Sequence, residues 1–520
     1  MIPTAGTNSA FRAPPSPLFL ASRASQSPPR QSSSSSTSGY FPHVPPMRRS
    51  STGSFSALSE FKLDGPSADD DEEDDSGPAT PGKEGSGVKG VRHVDLSVDG
   101  HEWKHPVFKT KVLAILRKLK VPLWSSPNLT PSSIHLQKVS GALTNAVFFL
   151  TFNPNPRPTS PSMSPMLTPT MPPHDPEHPS AFVPGQEPPT LLLRIYGPSS
   201  DALISRTEEL RILHVLSSQY GLGPKVFGTF TNGRIEQFFP SRALTAEELK
   251  DRLISRGIAR RMRELHSVDL RLLGFDKGKD TEPTLWRCLA EWVDLAEEVL
   301  TGLGAVSGKW EVWVEQFGLH RFRDEVQAWK NWVQQQDGRG KGVVFAHNDT
   351  QYGNLLKLDK ELPSNVPAHH QYIVIDFEYA APNPRGYDIA NHFHEWRANY
   401  HHPTHAHHLE HFPYPSLDQR EDFYRAYLSV AMDARNGEEV MIKRRDVAEQ
   451  KIAELEREVR IWSPGCSAFW GLWGIIQADE FVQAMVDKRE GYVAEFDNLA
   501  YALEKITMFR KEAKELGVPL

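Results

Sequence analysis

The prolines decide how much of this chain can fold. Of the 42 in its 520 residues, 25 fall within residues 1–90 and 153–190, and each one fixes a backbone angle and removes a hydrogen-bond donor. Residues 1–90 add a serine run at Ser32 to Ser36 and an acidic run at Asp69 to Asp75. Such a segment buries too little apolar surface to offset its conformational entropy, so it is expected to be a disordered tail. Phosphorylatable serines would make it regulatory, and a plain solvated tail is the simpler expectation. The stretch 153–190 is expected to be a disordered insertion between strands. What remains is enough for a two-lobed domain or two ordinary ones.

Order along that remainder points to an α+β chain. Residues 107–120 place Val107, Val112, Ile115, Leu116 and Leu119 at helical spacing, and IHLQKV, NAVFFLTF, TLLLRIYG, KVFGTF and GRIEQFF read as strands. Long helical patterns follow from Ala246 on, interrupted by the short apolar runs GVVFA, NLLKL and YIVI. Strands first and helices afterwards predict a strand-rich lobe joined to a helical one.

Composition narrows the partners. A net charge of -7 argues against nucleic acid. No apolar run approaches the roughly 20 residues a membrane helix needs, so no stable membrane insertion is expected. The start of the chain carries prolines where a signal peptide would be apolar. Two cysteines, Cys288 and Cys466, make no disulfide framework and favour a reducing, cytoplasmic setting.

The chemistry is concentrated in one stretch. His347-Asn348-Asp349-Thr350-Gln351-Tyr352-Gly353-Asn354 lies between two apolar runs, and Ile375-Asp376-Phe377 ends a third, 22 residues beyond Asn354. This is an H-x-D-x-x-x-x-N loop with a D-F site, a pattern that protein kinases use for the base and the metal. Asp349 is placed to accept a hydroxyl proton, while Asn354 and Asp376 supply hard oxygen ligands for Mg2+ bridging ATP phosphates. The competing expectation is that these residues only make turns and caps. Arg194, on a strand, would meet the phosphates with Glu209 as its helix partner. The turn formed by Ser140, Gly141, Ala142, Leu143, Thr144 and Asn145 would offer backbone N–H groups to a phosphate.

With these residues in view, the chain resembles the choline/ethanolamine kinase family. GALTNAVFFL, LLLRIYG, LGPKVFG, GRIEQFFPSRAL, HNDTQYGNLL, IDFEYAAPNPRGYDIANHFHEW and WGLWGIIQA follow its blocks in order across residues 134–510. Residues 91–124 further resemble the amino-terminal segment of fungal choline kinases. The resemblance implies a protein-kinase-like two-lobed fold. Its parts would be the tail (1–90), an N-terminal fungal segment (91–130), a nucleotide-binding N-lobe (131–240) and a helical C-lobe (241–520). It implies ATP and Mg2+ as cofactors and phosphorylation of choline, or alternatively ethanolamine, at the entry to phosphatidylcholine synthesis; a homodimer is left open.

Carried over by position, the resemblance makes Asp349 the base, with Gln351 and Asn354 in its loop, Arg194 at the phosphates and Asp376 at the metal. Ser140, Gly141, Thr144, Asn145 and Glu209 would serve the nucleotide, and the linker Glu236-Gln237-Phe238-Phe239, with Gln237 and Phe239, its base. Tyr400, Trp470, Trp473, Tyr501 and Glu395 would surround choline. Physics agrees with the last group: a quaternary ammonium has no N–H to donate and is best held by ring faces, each worth about 0.5–2 kcal/mol, beside a carboxylate. A core-helix role is the alternative for Trp470 and Trp473, which share a helical face. Where many relatives have two glycines in the phosphate turn, Gly141 is followed here by Ala142. A non-catalytic kinase-like scaffold and an aminoglycoside-type kinase are the other functional alternatives. Six histidines between His401 and His411 invite a zinc reading, but Pro403 and Pro413 predict an irregular loop, so only adventitious metal binding is expected.

Overall fold

The computed structural model describes residues 88, 90–139, 145–154, 187–196, 206–275, 282–306, 308–336, 342–429, 445–489, 491–494 and 496–520. The tail over 1–87, residues 140–144 of the phosphate turn with Ser140, Gly141 and Thr144, and residues 155–186 of the insertion lie outside them, together with the expectations placed there.

The smaller lobe is built on a six-stranded sheet. Its strands are β1 (His93–Val94), β2 (Ile134–Val139), β3 (Asn145–Phe152), β4 (Leu191–Tyr196), β5 (Val226–Phe230) and β6 (Gly233–Gln237), in the spatial order β1-β5-β6-β4-β3-β2. All neighbours pair antiparallel except β1, which adds parallel to the edge of β5. Helix α1 (Pro106–Lys118) lays Phe108, Val112, Ile115 and Leu116 on this sheet against Phe148, Leu150, Leu193 and Ile235. Val107, expected on that face, points outward and is 48% exposed. Trp124 is fully buried and donates its indole N–H to the Pro189 carbonyl (2.8 Å), so residues just after α1 fasten the start of β4. Helix α2 (Arg206–Val215) sets Glu209 beside the sheet.

The larger lobe begins with β7 (Ser241–Ala243) and α3 (Arg252–Leu265), which Asp251 caps by accepting the N–H groups of Leu253 and Ile254. Helices α4 (Thr284–Gly304), α5 (Gly308–Phe317) and α6 (Leu319–Gln335) follow. Two small sheets then present the loops of interest. Strand β8 (Val344–Ala346) pairs with β11 (Ala381–Asn383), and β9 (Leu355–Leu358) lies between β10 (Tyr372–Val374) and β7. Helices α7 (Arg385–Glu395), α8 (Leu417–Ser429), α9 (Arg445–Gln477), α10 (Asp479–Val486) and α11 (Asn498–Glu515) complete the lobe. A Cβ on Gly386 would stand 2.8 Å from the Glu458 carbonyl oxygen, so glycine is what lets α7 lie directly on α9. Trp286, Trp329 and Trp462 cluster in the core behind it, Trp329 edge to face with Trp462 and Trp286 tilted against both. Residues 401–411 form the irregular loop that their prolines predict.

Candidate active site

The H-x-D-x-x-x-x-N stretch leaves β8, turns over a short 3-10 segment at Tyr352–Asn354 and returns as β9. Asn348 (φ 65°) and Asp376 (φ 68°) both adopt the left-handed conformation. Asn and Asp tolerate it better than other side chains, and such geometry persists only where the surroundings enforce it. The enforcement is visible. A single carboxylate on α7, Asp388, accepts the N–H of His347 (3.0 Å) and of Asn348 (2.7 Å), and it also accepts Nε2–H of His266 (2.8 Å). His347 accepts the Asp349 N–H at Nδ1 (3.3 Å) and donates from Nε2 to the Ile375 carbonyl (2.9 Å), tying the loop to the segment that leads from β10 to Asp376. Asn348 donates to the Tyr379 carbonyl and accepts from Asn383, and Asn391 donates to the Asn348 carbonyl. His392 holds the Thr350 carbonyl (2.9 Å) while its other nitrogen accepts the Trp396 indole N–H (3.2 Å). Burial pushes the His392 imidazole down to about 4, so it works as a neutral strut.

Asp349, half-buried at the head of the loop, receives two hydrogen bonds from the Asn354 side-chain amide, one at its carbonyl (2.9 Å) and one at Oδ2 (2.8 Å). Burial, followed by the charges of Glu395, Asp376 and Glu378, raises its carboxyl well above the usual carboxylate range. That convergence of negative charge calls for cations. The amide nitrogen of Asn354 is turned to Asp349, and the side-chain oxygens of Asn354 and Asp376 are of the hard kind that could hold Mg2+. Gln351 is half-buried at the start of the turn, its carbonyl accepting the Asn354 N–H (3.0 Å).

A cage of rings stands next to the acids. Trp470 and Trp473 project from α9, 5.4 Å apart; Trp470 meets Tyr379 at 5.4 Å, and Trp473 meets Tyr501 of α11 at 6.2 Å. Their indole N–H groups donate to Asn391 Oδ1 (2.7 Å) and the Tyr379 hydroxyl (3.0 Å). Tyr400 stacks on Tyr352 at 5.9 Å and donates its hydroxyl to Glu395 Oε1 (3.1 Å). Glu395, at the last turn of α7, keeps Oε2 buried with no hydrogen-bond partner among the described residues. Burial raises the Glu395 carboxyl, with Lys505 and the Tyr400 hydroxyl pulling it back; burial lowers the Lys505 ammonium, with Glu395 opposing.

On the other side, a cavity runs between the lobes. Phe149, Arg194 and Glu236 line it from the sheet, Gln237, Phe238 and Phe239 from the connection, Glu209 from α2, and Leu356 and Asp376 from below. Arg194, Glu209, Gln237 and Phe239 therefore share one wall system with Asp376, while Asn145 sits at the start of β3, paired with Tyr196. The expected partnership of Arg194 with Glu209 differs from the one observed. Glu209 accepts Nη2–H of Arg234 (2.8 Å), a guanidinium that also bonds Glu236, while Arg194 Nε lies 3.7 Å from Glu236 and makes no hydrogen bond among the described residues. The reason is register. Arg194 and Arg234 are directly opposite on adjacent strands, so two cations compete for the same acids and the more deeply buried one takes Glu209. Burial opposes the charge on Arg234, but Glu209 and Glu236 outweigh it and hold the guanidinium well above its ordinary range.

Comparison with known proteins fits this geometry. The family model described as choline/ethanolamine kinase matches residues 136–510. The chain belongs to the choline/ethanolamine kinase family. A choline kinase of Schizosaccharomyces pombe is 32% identical over 452 residues, covering 79% of this chain and 90% of that one. An ethanolamine kinase of Saccharomyces cerevisiae is 28% identical over 411 residues, covering 75% and 67%. Among solved structures, a choline kinase from Cryptosporidium parvum superposes with a TM-score of 0.53 at 23% identity, covering 78% of this chain and 97% of that one, so the two-lobed kinase-like fold is shared.

Within this choline/ethanolamine kinase, sequence reasoning missed several members of the site. Tyr379 bridges Trp470 and Trp473, and Phe496 packs 5.6 Å from Tyr501. Arg234 had a signal in the strand GRIEQ, where it and Glu236, at i and i+2, share one face of an otherwise buried strand. The anchors on α7 had one too: Asp388, Asn391 and His392 recur at helical spacing with Glu395, already expected in the pocket, in a helix buried on all sides. Of the six histidines at 401–411, His401 reaches the site, at 3.0 Å from the Tyr352 hydroxyl.

Proposed function

We propose that this kinase transfers the γ-phosphoryl group of ATP to the hydroxyl of choline, giving phosphocholine and ADP, at the entry to phosphatidylcholine synthesis in the cytoplasm. The observation that carries the reading is Glu395: a buried carboxylate with one oxygen lacking a hydrogen-bond partner among the described residues and the other on the Tyr400 hydroxyl, beside the linked rings of Tyr379, Trp470, Trp473 and Tyr501. A primary ammonium would seek acceptors for three N–H groups, whereas a quaternary ammonium offers charge and methyl surface and leaves no donor unmet. The cage holds the cationic end while Asp349, in the adjoining loop, takes the hydroxyl proton as the alcohol attacks. Arg194 offsets phosphate charge from the sheet, and Gln237, Phe238 and Phe239 meet the adenine. Mg2+, held by Asn354 and Asp376, would neutralise charge on the phosphates when bound. Positioning and electrostatics supply most of the catalysis.

The test is ADP release by the purified full chain with MgATP and choline, ethanolamine or an aminoglycoside side by side. Choline turnover well above the others supports the reading. Preference for ethanolamine would overturn the role given to Glu395 and the rings, and no turnover with any of them would overturn the kinase itself.

A further inference from the structure

Away from the cleft, three side chains on two elements turn their ligating atoms toward one point. Glu264 is the last-turn carboxylate of α3, and His369 and His370 lie on the 3-10 segment Ala368–Gln371 that runs straight into β10. Glu264 Oε1 is 2.7 Å from Nε2 of His369 and 3.0 Å from Nε2 of His370, and the three ligating atoms lie within 4.8 Å of one another. Two adjacent histidines ordinarily diverge. Here the tight turn sets the rings at 83° with centroids 4.7 Å apart, so both nitrogens face the same oxygen.

We propose that Glu264, His369 and His370 form a binding site for a zinc-type transition-metal ion, separate from the magnesium chemistry of the cleft. Two imidazoles and one carboxylate are a donor set that zinc accepts, with a water completing the tetrahedron. Metal–ligand bonds of about 2.0–2.2 Å put tetrahedral ligands roughly 3.3 Å apart. The present nitrogen–oxygen separations therefore need to open by only a few tenths of an ångström. Arg261, itself buried, bonds the other carboxylate oxygen and fixes the direction of Oε1, as outer partners of metal ligands do. Burial works against the Glu264 charge, but the two imidazoles and Arg261 outweigh it and hold the carboxyl well below its usual range, so the anionic ligand is ready at neutral pH. His369 is buried and His370 is 39% exposed, which gives the ion a path in and the water a place.

The position gives the ion leverage. Glu264 precedes by two residues His266, whose ring bonds the Asp388 carboxylate that holds the catalytic loop, and His370 precedes Asp376 by six. A bound ion would join α3 to the strand leading to the metal ligand of the cleft.

The experiment titrates Zn2+ into the tag-free, metal-stripped full chain by calorimetry, repeats it with Co2+ while following the visible ligand-field band, and records the thermal midpoint at each metal concentration. Wild type, His370→Ala, Glu264→Gln and a control carrying His402→Ala, His405→Ala and His411→Ala are compared. The site predicts one equivalent bound in wild type and control, with a midpoint that climbs with Zn2+, and affinity at least about tenfold weaker in His370→Ala and Glu264→Gln. Unchanged affinity in those two variants, loss of binding only in the control, or no stoichiometric binding would each overturn it. None of these readouts depends on turnover.

Discussion

Each lobe buries a knot of charge, and the two are compensated in opposite ways. In the small lobe, Arg194 and Arg234 face Glu209 and Glu236, and cation and anion balance within the protein. In the large lobe, burial first and then the neighbouring charges of Glu395, Asp376 and Glu378 push the Asp349 carboxyl well above its normal range. The first knot holds a wall in place; the second is the one that, in the function proposed above, meets substrate and metal.

Replacing Asp349 by Asn breaks the second knot where chemistry depends on it. Turnover of choline should fall by about 10²- to 10⁴-fold, with the circular dichroism spectrum unchanged. Activity within tenfold of wild type would remove Asp349 as the base. Breaking the first knot should act on stability instead. Arg234→Met strands Glu209 and Glu236 in a buried wall and should cost about 3–5 kcal/mol, seen in the urea midpoint. A loss below about 1 kcal/mol would mean that Arg194 rotates in to replace it, and the two knots would differ less than their geometry says.

The struts between the knots should be neutral. His392 is depressed from 6.5 to about 4 in the folded state. Between these limits the unfolded chain binds a proton that the native loop refuses, so stability is full above pH 6.5 and is lost as pH falls toward 4. About 2 kcal/mol should disappear by about pH 5, and an NMR titration should find His392 still neutral there; a charged ring at that pH contradicts the strut. Glu395→Gln should raise KM for choline by about tenfold, about 1.4 kcal/mol, while leaving KM for ATP nearly unchanged. Equal effects on both would place Glu395 outside the cage. The smallest effect is the inverse of the first: in metal-free protein, Asp349→Asn relieves repulsion and should raise stability by about 1 kcal/mol, read as a higher thermal midpoint.

How much of this was legible depended on whether the chemistry was local. The segment from His347 to Asn354 carries its own spacing, and the strands on either side are short apolar runs, so the loop could be located from sequence. Trp470 and Trp473 needed the family resemblance, because two tryptophans at i and i+3 on a helix look the same whether they face a core or a ligand. Tyr379 and Phe496 escaped notice since nothing near them in sequence marks them; α9 and α11 make them cage walls. The exchange of Arg194 for Arg234 as partner of Glu209 follows from strand register, which single strands do not reveal. Val107 shows the same limit in a helix: spacing identifies a face only to within about one position, and Phe108 took its place.

Asp388, which grips the backbone just before Asp349, and Glu395, proposed to meet the charged end of the substrate, stand on one helix seven residues apart, about 10 Å along its axis. Wedged on α9 through Gly386, that helix would, on the proposed function, act as a fixed gauge between the reacting oxygen and the onium group. Amino alcohols should then be sorted by the number of carbons between their two ends as strictly as by their charge, because stretching the gauge would mean unwinding the rod that carries both marks.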